Sequence, residues 1–157
     1  MSASSNYLLI KQKLARYCAY QERNKKEVEK KLVAFSHEIT TAERQQMIAE
    51  LIAEGFLDEQ RYISAFVHDK FYLHKWGKKK IYYGLQANGI TDKQHIQQAL
   101  AQIPAADYQK AAAALANKKQ ATLGNYSDVI QQQKVTSYLL QKGYELDTIQ
   151  ASINSNS

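Results

Sequence analysis

Apolar residues recur along this chain at spacings of three and four. Ile10, Leu14 and Tyr17 form one stripe, Val28, Leu32 and Phe35 a second, and Met47, Ile48, Leu51 and Ile52 a third. Tyr62, Ile63, Phe66 and Val67, then Ile96, Leu100 and Ile103, continue the pattern. This is the period of a helix with one buried face. No stretch alternates apolar and polar residues at period two. One proline and six glycines are too little punctuation for a strand-rich fold. The prediction is an all-α chain.

Start and stop signals divide it further. Asn24, Thr41, Asp58, Asp92 and Asp128 can each accept from the first free amides of a helix. Gly55, Gly89 and Gly143 follow apolar runs and suit the left-handed residue that ends a helix. About nine helices follow, near 7–22, 25–36, 41–54, 58–75, 78–88, 92–103, 105–121, 127–142 and 145–154.

Three segments repeat one another: KKEVEKKLVAFS (25–36), KKKIYYGLQANG (78–89) and QQKVTSYLLQKG (132–143). Val28, Ile81 and Val135 lie eight residues before the terminators Ser36, Gly89 and Gly143, and Leu32, Leu85 and Leu139 lie four before them. The terminators are 53 and 54 residues apart, room for three short helices per unit. The expected units are 1–54, 55–103 and 104–157, with flexible tips at both termini.

Composition narrows the function classes. The chain has 157 residues, 45% of them hydrophobic, and no apolar run long enough to span a membrane. One cysteine can form neither an internal disulfide nor a cysteine zinc site. The start of the sequence lacks the charged and apolar regions of a signal peptide, so the expected location is the cytoplasm. No apolar helix face is left over to demand a dimer, so a monomer is expected.

The formal net charge is +6, which favours anionic partners. The charge is concentrated: KFYLHKWGKKK, residues 70–80, holds five lysines, one histidine and no acid. Lys75, Trp76, Lys78, Lys79, Lys80 and Tyr83 are the main candidate contacts, with Gly77 separating two helices. Cations in a first helical turn oppose its dipole, which points to an external anion, and free amides there can bind phosphate or carboxylate. Trp76 and Tyr83 either stack on unpaired bases or pack between helices. Tyr62 and Tyr138 fall on apolar stripes and are expected to pack between helices with the hydroxyl at the rim. Arg16, Arg23, Lys25 and Lys26 form a second candidate set, in part offset by Glu27 and Glu29.

Catalytic and metal chemistry find no support. His37, His68, His74 and His95 are scattered, no phosphate-loop motif occurs, and no cofactor is implied. Asp58 and Glu59 read as acids opening a helix. Cys18, between Tyr17 and Ala19, reads as a small core residue.

These residues resemble the RecX family, bacterial regulators of the RecA recombinase. In the first unit the resemblance rests on Asn24, Lys25, Glu27, Val28, Lys31 and Leu32. In the second it rests on Leu57, Asp58, Glu59, Arg61, Tyr62, Phe66 and Val67, then on Gly77, Lys80, Ile81, Leu85, Gly89 and Ile90. Lys142-Gly143-Tyr144 resembles the family's arginine-glycine-phenylalanine ending. Gly84 departs from the family's usual glutamate, and the third unit, with its AAAALA run, is divergent.

The resemblance implies an elongated, curved array of three tandem three-helix, helix-turn-helix-like repeats. It implies a negative regulator that lodges in the groove of the RecA filament on single-stranded DNA and inhibits or dissociates it, modulating recombination, repair and the SOS response. The alternative from the residues alone is a stand-alone helix-turn-helix-like DNA-binding protein. Base readout wants Arg, Asn or Gln in the major groove. The helix after Gly77 offers lysines, so sequence-independent phosphate contact is expected on either reading.

Overall fold

The computed structural model describes residues 5–154; the expected flexible tips lie outside the described residues. Among those residues there are nine α-helices and no strand. They are α1 (Ser5–Tyr20), α2 (Lys25–Leu32), α3 (Thr41–Ala53), α4 (Glu59–Tyr72), α5 (Lys78–Ala87), α6 (Lys93–Ala101), α7 (Ala105–Gln120), α8 (Asp128–Lys142) and α9 (Leu146–Asn154), with a 3-10 turn at Val33–Phe35. The chain divides into two compact units, 1–65 with 88–91, and 66–87 with 92–157.

Local chemistry explains the helix starts. Asn24 accepts from the Glu27 amide at 2.7 Å while the Glu27 carboxylate accepts from the Asn24 amide at 3.0 Å, a reciprocal capping box. Asp58 and Asp92 accept from the amides of Arg61 and His95, as expected. Two caps fall one residue earlier than predicted. Thr40, not Thr41, caps α3, because only from Thr40 does the third residue on, Glu43, reciprocate. Ser127, not Asp128, caps α8, which leaves Asp128 in the first turn where its charge suits the dipole.

The repeat anchors are where the pattern put them. Val28, Ile81 and Val135 are buried, and so are Leu32, Leu85 and Leu139. Two of the three terminators behave alike: Gly89 and Gly143 have φ of 89° and 99°, as does Gly55 at 81°. Ser36 differs. The first repeat helix ends at Leu32 and tightens into the 3-10 turn, and Ser36 stays right-handed at φ −61°. Helix α4 stops at Tyr72, short of the expected residue 75, because Lys75 takes a left-handed φ of 59°.

In the first unit, Tyr7, Ile10, Leu14 and Cys18 of α1 share a core with Val28, Leu32, Met47, Leu51 and Leu57. Cys18 is buried, matching its reading as a core residue. Ile52, expected on the α3 stripe, is 52% exposed, since Met47, Ile48 and Leu51 already fill the buried side. In the second unit, α7, α8 and α9 all pack against one another and α5 packs on α6. Tyr108, Ala112 and Ala116 of α7 are buried, as are Leu139, Tyr144 and Ile149, and the Tyr108 and Tyr144 rings lie 5.1 Å apart. Tyr62 is buried and Tyr138 half-buried, in keeping with tyrosines packed between helices with the hydroxyl at the rim.

Candidate functional site

The lysine-rich segment is anchored by two glycines lying backbone to backbone. The Gly77 amide donates to the Lys142 carbonyl at 2.7 Å and the Lys79 amide to the Gly143 carbonyl at 3.0 Å. A Cβ on Gly77 would fall on the backbone of Gly143 and Tyr144, and a Cβ on Gly143 would meet Lys80. The contact therefore requires glycine on both sides. Tyr144, fully buried, donates its hydroxyl to the Lys75 carbonyl at 2.9 Å. That bond helps hold the left-handed turn of Lys75, a conformation costing roughly 1–2 kcal/mol for a side chain with a Cβ.

The start of α5 is closed by protein groups. The Lys78 amide donates to the Tyr108 hydroxyl at 2.8 Å, and that hydroxyl donates to the Glu145 carboxylate at 2.8 Å. Burial, with help from Glu145, holds the Tyr108 phenol far above the usual tyrosine range, and burial raises Tyr144 as well. The amides of Gly77, Lys78 and Lys79 are thus already bonded. The expectation that they serve as an anion cradle is corrected: any anion here meets side-chain charges instead.

Two of those charges lie over Trp76. The Lys70 and Lys80 ammonium groups lie 4.7 and 4.5 Å from its ring centroid, and Phe66 meets it edge-on at 6.4 Å. Lys78 lies over the Tyr108 ring at 4.8 Å. The Lys142 ammonium donates to the His74 carbonyl at 3.3 Å, and burial, with the nearby charge of Lys80, pushes it below the usual lysine range. Lys75 and Lys79 are exposed. Among the described residues, no carboxylate lies within 4.0 Å of any of these six ammonium groups. Gly84 is explained here too. A Cβ there would press on Phe66 and Trp76 at 3.1 and 3.3 Å, so glycine lets α5 close on the ring that carries the lysines.

Sequence reasoning placed Lys75, Trp76, Lys78, Lys79 and Lys80 here but missed Lys70 and Lys142. The first was inside the basic run and went unused. The second is far away in sequence, and only its place in the motif Lys142-Gly143-Tyr144 hinted at it. Tyr83 is 65% exposed and, with Lys79, Tyr82 and Gln97, lines an open cleft of about 290 Å³ beside Glu145.

The second candidate set lies in the first unit and is bonded differently. The Arg23 guanidinium sits 3.7 Å from the Tyr17 ring centroid, donates to the Tyr17 carbonyl at 3.1 Å and pairs with Glu27 at 3.7 Å. Lys25 is exposed and pairs with Glu29 at 4.0 Å. Lys26 lines a small recess with Asn24, Tyr62 and Asn88. Arg16 is exposed, its side chain reaching the Gln12 carbonyl at 3.5 Å. No group of three or more metal-ligating side chains occurs among the described residues, and no helix there is long and apolar enough to cross a membrane.

The comparison that decides the family follows the same architecture. The model for the RecX second three-helix domain matches residues 58–100, and that for the RecX third three-helix domain matches residues 106–153, together more than half of the chain. The chain belongs to the RecX family. Regulatory protein RecX of Streptococcus uberis is 29% identical over 144 residues, covering 89% of this chain and 52% of that protein. Regulatory protein RecX of Leuconostoc citreum is 30% identical over 110 residues, covering 70% and 41%, and that of Bacillus mycoides 26% identical over 134 residues, covering 85% and 48%. The chain spans about half the length of these curated relatives. The crystal structure of RecX from Lactobacillus salivarius has a TM-score of 0.85 at 25% identity, covering 97% of each chain. A second crystal structure, of regulatory protein RecX, shares the fold, with a TM-score of 0.83 at 21% identity over 94% of this chain and 71% of that one. The all-α repeat array is therefore the family's fold. RecX is a family of regulatory proteins rather than enzymes, in line with the scattered histidines.

Proposed function

We propose that this chain is a negative regulator of RecA. On this reading it is a cytoplasmic monomer of three repeats, 1–54, 55–103 and 104–157, that binds in the groove of the RecA filament on single-stranded DNA and inhibits or dissociates it. Recombination, repair and the SOS response are the processes it would modulate. Lys75, Trp76, Lys78, Lys79, Lys80 and Tyr83 make the main contact, now with Lys70 and Lys142 beside them. Lys25, Lys26, Arg23 and Arg16 are secondary. Of these, Arg23 is the weakest candidate because its guanidinium is already held by Tyr17 and Glu27.

One observation carries the reading. Six lysines, five in 70–80 and Lys142, lie along a backbone joint that tolerates no side chain, two of them over the Trp76 ring, and among the described residues none has a carboxylate within 4.0 Å. Like charges so placed are stabilised by an anion, and a DNA strand supplies a row of them. The contact is electrostatic and sequence-independent. Four or five phosphate contacts on a single strand correspond to a log–log salt slope of about −3 to −3.5.

The test is ATP hydrolysis by the cognate RecA on single-stranded DNA with this protein titrated in. Hydrolysis should fall at near-stoichiometric or lower ratios. The variant with Lys78, Lys79 and Lys80 all changed to Ala should lose that inhibition while keeping its helical circular dichroism. No effect of the folded wild-type chain would remove the RecA reading and leave free DNA as the partner. Full inhibition by the folded variant would move the contact away from α5.

A further inference from the structure

The third three-helix domain carries a second cationic and aromatic cleft, remote in sequence from the lysine run. It has a volume of about 720 Å³ and lies between the end of α7, the loop at 121–127 and the outer side of α8. Two lysines lie over two tyrosine rings in it: Lys119 over Tyr138 at 5.3 Å and Lys134 over Tyr126 at 4.7 Å. The amides of Gln133 and Gln141 line the same cleft, and no carboxylate does. Among the described residues, neither lysine has an ion pair within 4.0 Å.

The cleft is pre-formed. Gln131 donates its side-chain amide to the carbonyls of Leu123 and Tyr126, at 2.9 and 3.0 Å, stapling the loop to α8. Tyr126 is thereby held in place although it is 47% exposed. A loop fixed before binding loses less entropy on binding. Lys119 also suits the dipole as a last-turn cation of α7, but Lys134 sits mid-helix in α8, where no dipole accounts for it.

We infer that this cleft is a binding site for single-stranded nucleic acid, with Lys119 and Lys134 on phosphates and Tyr126 and Tyr138 against unpaired bases. Charge complementarity sets the sign of the ligand. Its type follows from the lining. A protein partner would want an apolar pocket for a buried anchor, whereas here lysines, amides and hydroxyls outnumber apolar groups. Tyrosine faces with flanking cations suit bases of any sequence. This site is distinct from the α5 lysines, and its existence does not depend on RecA being the partner.

The experiment is a titration of the ¹⁵N-labelled full chain with a ten-residue oligothymidylate, followed by amide shifts. Resonances of the 119–141 segment, Tyr126 and Lys134 among them, should move. They should still move in the variant with Lys78, Lys79 and Lys80 changed to Ala, which separates this site from the first. Changing Lys119 and Lys134 to Ala should flatten the log–log salt slope of oligonucleotide binding by about 1.4, two single-strand phosphate contacts. Tyr126→Phe should retain binding and Tyr126→Ala weaken it. Shifts confined to the α5 start, or none, would overturn the proposal. So would an equal response to a duplex, which removes base stacking, or a response to an oligoglutamate peptide without one to the oligonucleotide, which assigns the cleft to a protein.

Discussion

Helices α2 and α5 occupy matching places in their repeats, and both open on lysines, yet their first turns are built in opposite ways. At α2, Asn24 and Glu27 close a capping box, and Glu27 and Glu29 answer Arg23 and Lys25. Every charge there has a neighbour of the other sign within four residues. At α5 the first turn holds no acid. The amides of Lys78 and Lys79 are taken by Tyr108 of α7 and by Gly143 at the end of α8, and the ammonium groups of Lys78 and Lys80 lie over aromatic rings. The lesson is that lysine density alone does not mark a binding face. What distinguishes α5 is density whose local compensation has been replaced by distant groups that satisfy the backbone and leave the charge unanswered.

The strongest way to break this contrast is to break the joint. Gly77→Ala should destabilise the protein by about 3 kcal/mol, because the added methyl meets backbone rather than a movable side chain. Urea-unfolding midpoints check it. Gly55→Ala adds a methyl to open space and bears only the strain of its positive φ, so it should cost less, about 1 kcal/mol. Equal losses for the two would mean that the Gly77 contact is not tight.

Much of this architecture is legible in one sequence. The anchors Val28, Leu32, Ile81, Leu85, Val135 and Leu139 reveal themselves because helical periodicity and burial are local, repeated properties. The left-handed glycines at 89 and 143 do so for the same reason. What is not legible depends on distant pairs. Nothing near Gly77 says that Gly143 will lie against it, and nothing near Lys78 says that Tyr108 will take its amide. The amides at α5 therefore look free from the sequence and are not. Tyr138 keeps its place on an apolar stripe, and what the stripe does not show is that Lys119 and an open cleft face its rim.

Alkaline pH probes the same difference through its phenols. Burial raises Tyr108 and Tyr144 at the α5 joint, and raises Tyr7 on α1, bonded to Glu50, to about 12. The unfolded chain loses these protons near pH 10 while the folded chain keeps them. Stability contributed by a raised pKa is complete below the unfolded value and is lost as pH rises above it. Each phenol should cost about 1.4 kcal/mol of stability by one pH unit above 10. Unfolding midpoints measured from pH 9 to 11 should fall, and should fall less steeply in Tyr108→Phe than in wild type. The slope is the readout, since losing the hydroxyl also lowers stability at neutral pH. Parallel slopes would show that Tyr108 ionises as freely folded as unfolded.

Removing the cap tests the other side. Asn24→Ala should cost about 1 kcal/mol, since it deletes one half of the α2 capping box. An unchanged melting midpoint would show that the box adds nothing to the fold. At α5 the matching deletion is distant in sequence: Tyr108→Phe removes the hydroxyl that takes the Lys78 amide.

The smallest effect discriminates most finely between the two helices. Lys79 is exposed in the first turn of α5, where a cation opposes the dipole and no acid offsets it. Lys79→Glu should therefore raise stability by about 0.3–1 kcal/mol while weakening binding to RecA on single-stranded DNA. Lys25→Glu in α2 gains the same dipole interaction but loses the pair with Glu29, worth about 0.3–0.5 kcal/mol, and sets two acids four residues apart. Its net change should be close to zero. Thermal midpoints at low salt resolve the two. A gain at position 79 that vanishes in high salt, with no gain at 25, would mean that α5 gives up stability to hold its charge. Equal changes at both positions would mean that the lysines of the two helices are electrostatically equivalent, and the contrast between them would fall.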